Sequence, residues 1–120
     1  MSNAQIQVSN GPYSFLAKPD SVTFSLGDQI TFISTSGTAD AEICFSDNVG
    51  KFLTPAPAGP LVLAGGSSLT FAVTGAPEGC EVDVREKGGA GTPDHDNIPP
   101  GVLAVLTPPR RPGPVNPPQK

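Results

Sequence analysis

The sequence predicts an all-β domain, a single Greek-key β-sandwich or barrel of about seven or eight strands. Three observations predict it. Ser21 to Ser34, "SVTFSLGDQITFIS", holds two runs of alternating polar and apolar residues around a Gly27-Asp28 corner. Val22, Phe24 and Leu26 share one face of the first run, and Ile30 and Phe32 one face of the second; such alternation marks successive half-buried strands. The 120 residues include 14 glycines and 15 prolines, a density that suits many short strands joined by turns. No window carries apolar residues at i, i+3, i+4 and i+7 over the length a helix needs. A chain this long holds one domain around one core.

The elements follow in order. Gln5 to Ser9 and Tyr13 to Ala17 read as short strands separated by an Asn10-Gly11-Pro12 turn. Lys18-Pro19-Asp20 turns into the opening pair. After the polar turn Ser36 to Asp40 comes "AEICFS", with Ile43 and Phe45 on one face. Asn48 to Pro60 reads as loop, with Phe52 and Leu53 folded inward as a plug. Leu61 to Leu63 is a brief extended segment. "SLTFAVT" alternates again, placing Leu69, Phe71 and Val73 inward. "CEVDVRE" puts Cys80, Val82 and Val84 on one face and Glu81, Asp83 and Arg85 on the solvent face. A long loop, Lys87 to Gly101, precedes a last strand, Val102 to Leu106. Turn signals at this spacing are those of a sandwich or barrel.

The boundaries read from this pattern are residues 5–106 for the domain, with Ser2-Asn3-Ala4 as the remnant of a cleaved expression tag. Residues 107–120, "TPPRRPGPVNPPQK", lack the amide donors a sheet needs and should be extended and solvated. They read as a linker, or as a docking motif for a proline-binding module. No charged segment followed by an apolar run opens the chain, so no signal peptide is read. Compartment stays open: periplasmic or secreted if a leader was removed, otherwise cytoplasmic.

Net charge is −4. All eleven acidic residues precede Leu106, whereas three of the seven basic ones, Arg110, Arg111 and Lys120, follow it. An acidic body repels phosphate backbones, which argues against nucleic acid as a partner. No apolar run approaches membrane-spanning length.

Taken together, "SVTFSLGDQITFIS", the strand with Phe45, the Phe52 plug, "SLTFAVTG", "GCEVDV" and the closing "PGVLAVLTP" resemble the cupredoxins. The closer likeness is to small bacterial cupredoxin-like proteins without a copper site, over roughly Ser14 to Pro108; an immunoglobulin-like sandwich is the alternative fold. The resemblance implies where copper ligands would stand. The copper cysteine ends the penultimate strand, where this chain has Val84. The axial methionine precedes the closing Gly-x-Leu-x-Val, where it has Pro99. The upstream histidine falls around Ala41 to Ile43, where there is none. His95 lies near the family's second histidine, so one ligand of four survives at best. A blue-copper site needs two imidazoles and a thiolate, so the expectation is no copper and no cofactor.

His95 reads as an exposed loop histidine. Its flanks, Asp94 and Asp96, make "PDHDN" a candidate weak divalent-cation site, since such ions accept carboxylate and imidazole. Cys44 and Cys80 fall on strands that pair or face each other. A disulfide between them would contribute about 3–4 kcal/mol in the chain-entropy model. Alternation points Cys44 away from Ile43 and Phe45 while Cys80 points inward, so a bulge would be needed to join them; two buried free thiols are the other reading.

No nucleophile elbow, zinc-helix motif, phosphate loop or cofactor fingerprint is present. The glycine-rich stretches at Gly65-Gly66 and Gly88-Gly89 lead into no helix that could hold a phosphate. The expected function is therefore a non-catalytic binding or interaction module whose ligand or protein partner is open. Its working surface is expected at the end built from Asn48 to Pro60 and Lys87 to Gly101, around Phe52 and His95. A structural, self-associating role (a homo-oligomer) and weak metal binding through Asp94, His95 and Asp96 are the alternatives.

Overall fold

Strands form where the sequence alternates, and the partners each strand takes decide which of its faces is buried. The computed structural model describes residues 2–11, 14–57, 59–86, 93–94 and 96–107. Among these are ten strands: β1 (Asn3–Asn10), β2 (Phe15–Lys18), β3 (Ser21–Thr23), β4 (Gln29–Ser34), β5 (Ala41–Phe45), β6 (Leu53–Thr54), β7 (Leu61–Leu63), β8 (Ser68–Val73), β9 (Cys80–Glu86) and β10 (Val102–Leu106). They make two five-stranded sheets packed as a sandwich, β2-β1-β4-β8-β6 and β3-β10-β9-β5-β7. Pairing is antiparallel except for β1 with β4 and β9 with β10, which run parallel. The all-β reading holds, with more and shorter strands than expected.

The inward residues of the alternating runs meet between the sheets. Phe32 from the first sheet meets Phe45 of the second edge-to-face at 5.6 Å, and Phe71 packs on both rings at 6.5 and 5.2 Å. Ile6, Ile30, Ile43, Leu63, Val82 and Val84 are fully buried around them. Burying one such side chain stabilises the fold by about 1.5–3 kcal/mol relative to exposure.

The Gly27-Asp28 corner joins two strands that do not pair. β3 hydrogen-bonds to β10 in the second sheet, whereas β4 lies between β1 and β8 in the first. The corner therefore carries the chain from one sheet to the other. Leu26 leaves the face it was expected to share with Val22 and Phe24 and is 63% exposed, because the chain is already turning there. The turn is held by Asp28, whose two carboxylate oxygens accept the amides of Ser2 and Ser25, each at 2.9 Å. Those two bonds hold the Asp28 pKa below the usual carboxylate range.

Other differences are local. Asn3 and Ala4, set outside the domain by sequence, are paired with Gln29 and Ile30, and Asn3 Oδ1 accepts the Thr31 hydroxyl at 3.0 Å. The expected Asn48–Pro60 loop contains the end of a 3-10 turn, Asp47–Lys51, and the short edge strand β6. Tyr13 and residues 108–120 of the proline-rich tail lie outside the described residues.

Candidate functional site

Of the loops expected to form a binding end, the described residues Asn48 and Ile98 both approach Gly79, just before β9. Phe52 is fully buried and stacks on Phe24 with ring centroids 5.7 Å apart. It is the plug the sequence suggested, so it fills the core and presents no surface to a ligand. Beside it the backbone dips into a polar clasp. Asn48, buried, accepts a hydrogen bond from Ser46 Oγ at 2.8 Å and donates to Gly79 O at 2.7 Å and Glu78 Oε1 at 3.1 Å. Ser46 Oγ accepts the Glu81 amide at 3.1 Å. Both amide protons and the carbonyl oxygen of Asn48 are thereby used. The 3-10 turn places Asn48, and Gly79 lets the chain pass close beneath Ile98, whose carbonyl a Cβ at 79 would strike. Lys51 forms an exposed ion pair with Glu78 at 3.6 Å. Among the described residues, the segments around Asn48, Gly79 and Ile98 hold one another at this end.

Of the positions aligned with copper ligands, Ile43 and Val84 are neighbours without a ligating atom, and Pro99 is set apart from them. Ile43 and Val84 are register partners on β5 and β9, both fully buried. Pro99 is exposed just before β10. Because β9 and β10 run parallel, with Leu103 opposite Cys80, the start of β10 lies five residues along β9 from Val84, or roughly 16 Å at the rise of a strand. His95 lies outside the described residues. Of its neighbours, Asp94 Oδ1 accepts the Asp96 amide at 3.0 Å, closing a local turn. Among the described residues no three His, Cys, Asp or Glu side chains are placed to hold a metal ion.

The cysteines are free thiols on opposite faces of one sheet. Cys44 is the register partner of Asp83 on the outer face, while Cys80 points into the core with Val82 and Val84. Cys80 and Asp83 stand three positions apart on β9, roughly 10 Å of strand, which is beyond disulfide reach. Burial pushes the Cys80 thiol up to about 12, so it is not a nucleophile at neutral pH. Asp83 departs from expectation too: its carboxylate is buried on the outer face and pairs with Arg85 Nε at 2.8 Å. Glu81, two residues before it, has its pKa raised by burial and then by Asp94 and Asp83.

No protein family, curated protein or solved structure matches this chain.

The surface that stands apart is the outer face of the first sheet. Its outward residues lie in register across three central strands. One row is Gln5, Thr31 and Thr70; the next is Gln7, Ile33 and Ser68; a third is Asn3, Gln29 and Ala72. The Thr31 hydroxyl lies 3.1 Å from that of Thr70 and donates to Asn3, which fixes the middle of the face. Gln5, Gln7, Gln29, Ser68 and Thr70 are exposed. Lys18, the partner of Gln7 on edge strand β2, is the one charge on this face among the described residues. The outer face of the second sheet is the opposite case, carrying Glu42, Glu81, Asp83 and Arg85. The signal was in the sequence: outward positions that alternate Gln, Thr and Ser in three strands.

Proposed function

We propose that this chain is a non-catalytic interaction module on a copper-free, cupredoxin-like sandwich, and that it binds through the outer face of its first sheet. The observation that carries the reading is the near-absence of charge from an exposed, hydrogen-bonding face in a chain of net charge −4. Exposed strands commonly carry charged side chains, which discourage association. Recognition surfaces lose charge at their centre instead, because desolvating an ion is costly. Amides and hydroxyls keep hydrogen-bonding specificity without that cost. The apolar Ile43–Val84 pair supports the copper-free part of the reading. The burial of Phe52 and the clasp of Asn48 with Gly79 and Glu78 support moving the working surface from the loops to the sheet.

The test compares retention of the protein on neutral polysaccharide resins and on resin-bound copies of itself. It is run beside Gln7→Glu/Thr70→Glu on the face and Lys51→Glu at the loop end. Retention that the face variant loses and the loop-end variant keeps is the expected result. Retention lost only with Lys51→Glu, or seen on no resin, overturns the reading.

A further inference from the structure

We infer that the partner seated on the outer face of the first sheet is a second copy of this chain, related by a two-fold axis through the face; the inference rests on the reading just given. Charge selects the occupant. The eleven acidic residues of one copy repel those of another wherever acidic surfaces meet. Apposing the second sheets would bring Glu42 and Glu81 of each copy together. Apposing the first sheets brings no carboxylate of either outer face into the contact. At the rim stands Asp28, whose two oxygens are already occupied by the amides of Ser2 and Ser25.

The side chains on the face are self-complementary. A Gln or Asn amide both donates and accepts, and a Thr or Ser hydroxyl does the same. An isologous contact needs this property, since each residue type must answer its symmetry mate. Ile33, half-buried between Gln7 and Ser68, gives the centre an apolar contact. A neutral glycan would answer the same amides and hydroxyls. Among the described residues, however, no aromatic ring is exposed for a sugar to stack on, since the phenylalanines are buried between the sheets.

Area sets the strength. Strands of 4, 8, 6, 6 and 2 residues at the usual rise and spacing offer roughly 400 Å² per copy. Two copies then bury roughly 800 Å², below the roughly 1,200–2,000 Å² of a stable complex. The dimer is therefore weak and concentration-dependent. Salt strengthens it by screening repulsion between the two acidic bodies.

Sedimentation equilibrium on the full chain tests this. The weight-average mass should rise above 12.2 kDa with concentration, and rise further with salt. Gln7→Glu/Thr70→Glu should hold it at the monomer value, while Val62→Glu on the second sheet should leave the rise intact. A monomer at the highest soluble concentration in high salt overturns the self-association. In that case face-dependent retention on a polysaccharide resin leaves the proposed function standing with a glycan as partner. Mass that rises equally in the face variant, or falls only in Val62→Glu, overturns the self-association and moves the contact off this face. Unchanged thermal unfolding of each variant secures the comparison.

Discussion

The side-chain amide of Asn48 reaches the carbonyl of Gly79 at 2.7 Å, joining the 3-10 turn after β5 to the residue just before β9. Ser46 and Glu78 complete the same network, so one buried side chain settles the polar groups of three segments. Loops that hold each other in this way form a fixed end to the sandwich.

Asn48→Ala removes three hydrogen bonds and leaves the Gly79 carbonyl and the Ser46 hydroxyl short of partners. The expected loss is about 2–4 kcal/mol, since each orphaned buried group costs its desolvation. Urea unfolding measures it, and a loss below about 1 kcal/mol would show that the clasp is ornamental. Asn48→Asp should cost at least as much at neutral pH, because its carboxylate would face Glu78 and the Gly79 carbonyl. That deficit should shrink on acidification.

Gly79→Ala should destabilise more than Gly27→Ala. A Cβ at 79 meets the Ile98 carbonyl, which is backbone and cannot rotate away; such overpacking costs about 1–3 kcal/mol. Gly27 has φ +94 and open space around it, so its substitution pays only the left-handed strain of about 1–2 kcal/mol. Thermal unfolding of both variants gives the order, and the reverse order would contradict the close approach.

Reduction should leave the intact mass of the native protein unchanged. Cys44 and Cys80 lie on opposite faces of the second sheet, and the Cys80 thiol is raised to about 12 by burial. Native protein at pH 8 should therefore leave Cys80 unlabelled by a thiol reagent, and unfolding should expose both thiols to it. A gain of two hydrogens on reduction would overturn the arrangement.

Glu81→Gln should raise the melting temperature at pH 7. The folded-state pKa of Glu81 is raised above 4.5, so the folded state binds its proton more tightly than the unfolded chain does. Stability is then lost as pH rises from about 4.5 through the folded pKa, and the charged form remains a burden above it. The neutral variant escapes that burden, so its advantage should vanish below about pH 4.5. An advantage that persists at pH 3 would point to packing as the cause. Glu81 is only half-buried, so the effect should be small and weakened by salt.

Much of the core was legible in the sequence because a strand's side chains alternate by geometry alone. Phe24, Phe32, Phe45, Phe71, Val82 and Val84 stand where alternation put them, buried between the sheets. Alternation says which side of a strand faces inward, but nothing about which strand lies beside it. The Gly27-Asp28 corner was therefore read as joining successive strands, with no sign that they belong to different sheets. Parallel pairing of β9 with β10 was hidden for the same reason, and with it the separation of Val84 from Pro99. Alternation places Asp83 on the solvent face of β9, and it cannot show that the carboxylate is buried there against Arg85. The neutral face of the first sheet became visible once register aligned Gln5 with Thr31 and Thr70.

The position of β3 has a consequence for how the chain is made. Its sole neighbour in the sheet is β10, some eighty residues downstream. Residues 21–23 leave the ribosome early and must wait, unpaired, until Val102–Leu106 has emerged to lie between them and β9. Closing so long a loop is slow, and the open flank of β9 stays a strand-accepting edge during the interval. The second sheet is thus finished by its last strand, and a chain cut before residue 102 loses β3 along with β10.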